Sequence, residues 1–150
     1  MIASKNCIDL IKKFEGCKLE SYLCPASKVT IGYGSTMWSD GKPIKMGEKI
    51  SLDTAEKLLM WELKNKSVVL QNLNLNQNQF DSCLSLIYNI GIGNWQKSTL
   101  LKKIKLNLND ESIPDEFLKW NKARVNGKLT ELKGLTKRRL AESNLYKSIP

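Results

Sequence analysis

The chain has 150 residues, 41% hydrophobic and 26% charged, with 24 Lys and Arg against 15 Asp and Glu for a formal net charge of +9. This is globular composition on a length that suits one compact domain, and no apolar run approaches the roughly 18 residues that a spanning helix requires. Histidine is absent, which excludes a His-assisted nucleophile or a His base, and the four cysteines at 7, 17, 24 and 83 include no Cys-x-x-Cys pair to hold zinc.

Asn6, Asp9, Lys12 and Lys13 interrupt any apolar export signal at the start of the chain, so synthesis in the cytoplasm with reduced thiols is expected. Ser4 is placed to cap a first helix with Cys7, Ile8, Ile11 and Phe14 on one face and Glu15 at its C-terminal end. From Lys18 to Tyr33, the strand formers Leu19, Tyr22, Leu23, Val29, Ile31 and Tyr33 flank a turn at 24–28, which predicts a β-hairpin. A turn centred between Ala26 and Ser27 would set Leu23 opposite Thr30 and Cys24 opposite Val29, making Cys24 and Thr30 close neighbours. Gly32, Gly34, Gly41, Gly47 and Pro43 predict further turns and a third strand near 42–47.

Ser51 opens the strongest helical pattern, with Ala55, Leu58, Leu59, Leu63 and Leu70 as its apolar stripe over about twenty residues. After the polar run 72–79, Phe80, Leu84, Ile87 and Tyr88 mark a helix stopped by Gly91. Ser98 caps the next, Pro114 begins one reaching Trp120, and a last helix spans Thr136–Tyr146. The expected fold class is α+β, mainly helical, in a single domain over 1–150. Its parts are a β-rich lobe at about 15–50, a connecting helix at about 51–73, and a helical lobe from 1–14 and 74–150.

Glu15, Cys24 and Thr30 form an unusual trio around the hairpin. Each has a plain reading alone: a solvated helix-end acid, a small buried thiol, a strand threonine. Together they meet the needs of glycoside hydrolysis, which uses an acid to protonate the leaving oxygen and a partner to activate water. Phe14 and Leu19 beside Glu15 would desolvate its carboxyl group and favour the acid form. Cys24 and Thr30 would hold a water between a sulfur and a hydroxyl.

The spacing Glu15, eight residues, Cys24, five residues, Thr30, followed by Ile31-Gly32-Tyr33-Gly34, resembles the catalytic segment of the phage-type lysozymes, or endolysins. The likeness continues through Gln79–Gly91, Ser98–Leu101, Phe117–Trp120 and Gly134–Glu142, nearly the whole chain. It departs at Ser35, where most of the family carries His, and at Cys24, an accepted variant of Asp.

The resemblance implies a lysozyme-like fold and an N-acetylmuramidase. Such an enzyme hydrolyses the β-1,4 bond between N-acetylmuramic acid and N-acetylglucosamine in peptidoglycan, with inversion, for host cell lysis. Glu15 would be the general acid, with water held near Cys24 and Thr30. Gly34, Thr36, Tyr88, Asn89 and Ser98 would contact the saccharide. No metal or cofactor is implied, and the partner is the peptidoglycan substrate of a monomeric enzyme. The resemblance further implies release from the host cytoplasm to the periplasmic wall by a holin, without membrane insertion.

A non-hydrolytic wall-binding protein on the same scaffold is the alternative. Specific nucleic-acid binding has only the net charge behind it. Arg138 and Arg139 could pair with Glu15 or lie on the surface, and Trp120 reads as core.

Overall fold

The Ser4 hydroxyl accepts the Cys7 N–H at 3.4 Å and opens α1 (Lys5–Glu15). Gly16 at φ +65 stops it, its N–H bonding back to the Lys12 carbonyl at 3.0 Å in the left-handed cap that glycine adopts without a Cβ clash. The computed structural model describes residues 1–150. After α1 come β1 (Lys18–Leu23), β2 (Val29–Gly32), α2 (Leu52–Lys66), a 3-10 turn (Ser67–Leu70), α3 (Gln77–Ile90), α4 (Ile92–Lys97) and α5 (Thr99–Leu106). The chain ends with α6 (Ile113–Leu118), β3 (Lys122–Val125), β4 (Lys128–Glu131) and α7 (Lys133–Lys147). The architecture is α+β and mainly helical, with two separate antiparallel ribbons, β1–β2 and β3–β4. Two compact units are formed, one by Ile8–Asn65 and one by Met1–Cys7 with Lys66–Pro150.

In the first unit the hairpin register differs by one residue from the sequence reading. Tyr22 pairs with Thr30 and Leu23 with Val29, while Cys24 donates its N–H to the Lys28 carbonyl at 2.9 Å. The cause is a three-residue loop: Ser27 donates to the Cys24 carbonyl at 2.8 Å across Pro25-Ala26, and Ser27 itself takes φ +61. No third strand forms near 42–47. The segment and its flank make only isolated bridges, Met37 with Pro43 and Glu20 with Lys49, consistent with Pro43, Gly47 and the lysines between and beside them. Ile31, Ile44 and Leu58 are the buried cluster here, covered by Val29, Trp38, Ile50 and Trp61.

The apolar stripe of α2 is buried at Ala55, Leu58, Leu59 and Leu63, but the helix is 15 residues long rather than about twenty. At Ser67 it tightens into the 3-10 turn, where the adjacent β-branched Val68 and Val69 crowd an α-helical backbone.

In the second unit α3 is buried from Asn78 through Tyr88, with Asn76 and Gln79 forming a reciprocal capping box and Gly91 closing its C-terminus. Its polar residues are partnered: Asp81 accepts from the Ser4 N–H at 3.1 Å and from the Ser4 hydroxyl, and Gln77 donates to it at 2.9 Å. Phe80, Leu84, Ile87, Trp95, Ile113 and Phe117 lie within the core of this unit. The ring of Phe117 tilts against that of Tyr146 at 5.7 Å.

Three elements of this unit differ from the sequence reading. The ribbon β3–β4 and the short α4 were not expected, and α7 begins at Lys133 rather than Thr136, the Leu132 carbonyl taking the first helical N–H, that of Thr136, at 3.0 Å. Trp120 is half-buried rather than core. Arg138 and Arg139 are not surface residues: they are 3% and 0% exposed. Arg139 Nε lies 2.5 Å from Glu142 Oε1 and its Nη2 donates to Oε2 at 3.2 Å, while Arg138 donates to the Ser85 carbonyl at 3.0 Å.

Burial pushes the Glu142 carboxyl up from its ordinary value, although both guanidiniums pull against it, so the pair is costly to build and costlier to break. Glu142→Ala would leave two buried cations without their carboxylate, and it is expected to lower unfolding stability by about 3–5 kcal/mol in a denaturant titration.

Candidate active site

Glu15 is the last residue of α1, and the same unit anchors that helix one turn earlier. Lys12 forms a 2.7 Å ion pair with Glu56 of α2, which raises the Lys12 ammonium above its ordinary range, and its Nζ stands 5.4 Å from the Tyr33 ring centroid. The segment after β2 folds back tightly. Ile31 and Ser35 exchange both backbone hydrogen bonds at 2.9 Å, with Gly32 at φ +64 and Gly34 at φ +89 inside the turn.

Gly34 brings its backbone against the carboxyl of Glu15: a Cβ built there would lie 2.7 Å from Glu15 Oε2. Glycine is therefore required twice, for its dihedral and for the close approach. The Ser35 side chain is buried at 1% exposure beside this turn.

Because the register follows the three-residue loop, Tyr22, Cys24 and Thr30 share one face of the hairpin. Under the other register Cys24 and Thr30 would have faced opposite sides. Thr30 is buried at 3% exposure and its hydroxyl donates to the Lys28 carbonyl at 3.0 Å.

The Cys24 thiol is half-buried and held below its ordinary range. The backbone N–H of Lys28 contributes most, opposed by burial and reinforced by the Ala26 N–H, the Thr30 hydroxyl and the Lys28 ammonium. Tyr22 lies on the same hairpin face as Cys24 and Thr30. Burial raises its phenol, and negative charge at both Cys24 and Glu15 raises it further, so the phenol lies within electrostatic range of each. Sequence reasoning passed over Tyr22 as a strand former; its signal was its place two residues before Cys24 on one strand face.

The remaining expected residues have their own surroundings. Thr36 is exposed, and its carbonyl accepts from Ile44 at 3.1 Å. In the helical unit Tyr88 is 9% exposed with the Lys66 ammonium 5.9 Å from its ring centroid. Asn89 is exposed, and its Oδ1 accepts from Arg139 Nη1 at 2.9 Å, so the buried arginine fixes the orientation of that amide. Ser98 is buried, its hydroxyl committed to capping α5: it accepts from the Leu101 N–H at 3.1 Å and donates to the Trp95 carbonyl at 2.7 Å.

A model of the phage lysozyme family matches residues 12–142. The chain belongs to that family. An endolysin from Acyrthosiphon pisum secondary endosymbiont phage 1 is 41% identical over 152 aligned residues, covering 99% of both chains. Among solved structures, the endolysin from Escherichia coli O157:H7 phage FAHEc1 superposes with a TM-score of 0.89 at 37% identity, covering 98% of this chain and 94% of that one. The muramidase domain of SpmX from Asticaccaulis excentricus superposes at 0.84 with 29% identity, covering 97% of each. The matched stretch includes Glu15, Cys24, Thr30 and Gly34, so the geometry above lies within the part this chain shares with phage lysozymes.

All four cysteines of this phage lysozyme are free, and Cys7 and Cys83 are buried with their thiols pushed well up by desolvation. Iodoacetamide at neutral pH is therefore expected to modify Cys24 well before Cys7 or Cys83, as read by peptide mass spectrometry. Thr30→Ala, which removes one partner of the sulfur, should move the pH midpoint of Cys24 labelling upward.

Proposed function

We propose that Glu15 protonates the glycosidic oxygen of a peptidoglycan strand while Cys24 and Thr30 position the attacking water. The chain is a peptidoglycan hydrolase of the phage lysozyme family, serving host lysis, and its chemistry is that of a muramidase glycoside hydrolase. The observation that carries the assignment of residues is the seating of the Glu15 carboxyl against Gly34 in the same unit as the Cys24–Thr30 face. The scissile bond is β-1,4 between N-acetylmuramic acid and N-acetylglucosamine, and hydrolysis inverts the anomeric carbon, since Cys24 steers water to that carbon rather than bonding to it through sulfur.

Tyr22, within range of both Cys24 and Glu15, lends a phenol to the same face. Gly34 and Thr36 would meet the sugar through backbone and hydroxyl, and Asn89 through an amide that Arg139 holds in place. Tyr88 would offer an aromatic ring. Ser98 would act through the helix start it caps, its hydroxyl being already used. The enzyme works as a monomer made in the host cytoplasm, and a holin admits it to the periplasmic wall. A wall-binding protein without hydrolysis is disfavoured, because the complete acid and water-holding group would then have no task.

Glu15→Gln keeps the shape but not the proton, and is expected to reduce turbidity loss of permeabilised Gram-negative cells by at least about a hundredfold while sparing wall binding. Retained turnover in that variant would remove the acid assignment. Cys24→Asp should stay active, whereas Cys24→Ala should lose about a hundredfold. Gly34→Ala forces a methyl onto the Glu15 carboxyl, and roughly a hundredfold loss of lysis is expected from that displacement. NMR of the first released sugar should show the α-anomer.

A further inference from the structure

The β3–β4 ribbon stands outside everything described so far. Nine of its ten strand and turn residues, Lys122 to Glu131, are exposed, and only Ala123 is half-buried. A two-stranded ribbon open on both faces is marginal in water, yet this one is well specified. Asn126 at φ +50 and Gly127 at φ +79 form the two-residue turn, and Arg124 Nη1 donates across it to the Gly127 carbonyl at 3.3 Å. The register sets Lys122 opposite Glu131, Arg124 opposite Leu129, and Val125 opposite Lys128.

Two features of the ribbon and the start of α7 exceed what holds the ribbon together. The first is charge: residues 122–137 carry Lys122, Arg124, Lys128, Lys133 and Lys137, all exposed, against Glu131 alone, close to half of the chain's net +9. The second is apolar surface at the tip, where Val125 is 43% and Leu129 62% exposed among those cations. By strand alternation these two side chains point to opposite faces, so a partner receiving both must take the ribbon tip-first.

We propose that the β3–β4 tip docks on an anionic lipid bilayer, Val125 and Leu129 entering the interfacial layer while Arg124, Lys128 and Lys122 meet the phosphates. The charge alone would suit any polyanion. The aliphatic pair gains nothing against a hydrated phosphate polymer but leaves water on a bilayer, which selects the lipid surface. Nucleic acid is disfavoured because the tip carries no aromatic ring for base stacking. The ladder satisfies the inward-facing backbone groups of the ribbon, and its open edges stay among headgroups, so docking is shallow.

The test is sedimentation of the full chain with vesicles of phosphatidylglycerol and phosphatidylcholine in a one-to-three ratio, against phosphatidylcholine alone and against a heparin column. The wild-type chain should partition onto the anionic vesicles only, and less so as salt rises. Lys128→Gln should weaken that partition about fivefold, the effect of one cation at an anionic leaflet. Leu129→Ser should weaken it several-fold, with heparin retention unchanged. Both positions are exposed, so unaltered thermal melts will verify that the variants fold. No vesicle partition by the wild type, or a Leu129→Ser variant that partitions like the wild type, overturns the proposal. In the latter case a generic polyanion patch replaces it.

Discussion

The face shared by Tyr22, Cys24 and Thr30 depends on a loop of three residues. Pro25-Ala26-Ser27, with Ser27 in the left-handed region, shifts the β1–β2 pairing by one residue relative to an even-numbered turn. The strand repeat is two residues, so that shift reverses which side chains share a face. It is the difference between a thiol and a hydroxyl on opposite sides of a ribbon and the two on one face with Tyr22. A left-handed serine costs more than a glycine would, and its compensation is the pair of backbone bonds, Ser27 to Cys24 and Cys24 to Lys28, that close the loop.

The acid is fixed by different means. Gly16 ends α1 immediately after Glu15, so no further turn of helix covers the carboxyl. Lys12, paired with Glu56 and stacked over Tyr33, holds the last turn of α1 within its unit. Gly34 then removes the one methyl group that would collide with Glu15 Oε2. Rigidity on the helix side and emptiness on the turn side are complementary requirements: the first locates the carboxyl, and the second leaves space for it.

Most helices were legible because their signals are local: Ser4, Ser51 and Ser98 cap, Gly91 stops, and the α2 stripe has helical period. The hairpin register was not legible from composition, because it turns on whether Ser27 adopts a positive φ, which nothing adjacent forces. The β3–β4 ribbon is a different kind of miss, since Asn126-Gly127 between two short runs is a strong hairpin signal. Its runs are short and charged, and Leu129 falls on the face opposite Ala123 and Val125, so the two strands share no apolar face to mark them. The burial of Arg138 and Arg139 was hidden for a third reason. A basic run reads as solvated unless its partner is known, and Glu142 lies one turn along the same helix.

A sulfur at position 24 suits the turn itself. Residue 24 occupies the first position of a β-turn, where a side-chain acceptor naturally receives backbone N–H groups from within the turn. The N–H groups of Ala26 and Lys28, with the Lys28 ammonium, supply that field to the sulfur and draw its thiol down. The Thr30 hydroxyl carries a single proton, given to the Lys28 carbonyl here, and one rotation would offer it to the sulfur or to a bound water. Stabilisation of negative charge at this corner thus belongs to the backbone and to Thr30, and the residue at 24 need only present a polarisable or ionised atom to it. The turn thus presents to residue 24 a corner lined by backbone N–H donors, with the Thr30 hydroxyl beside it.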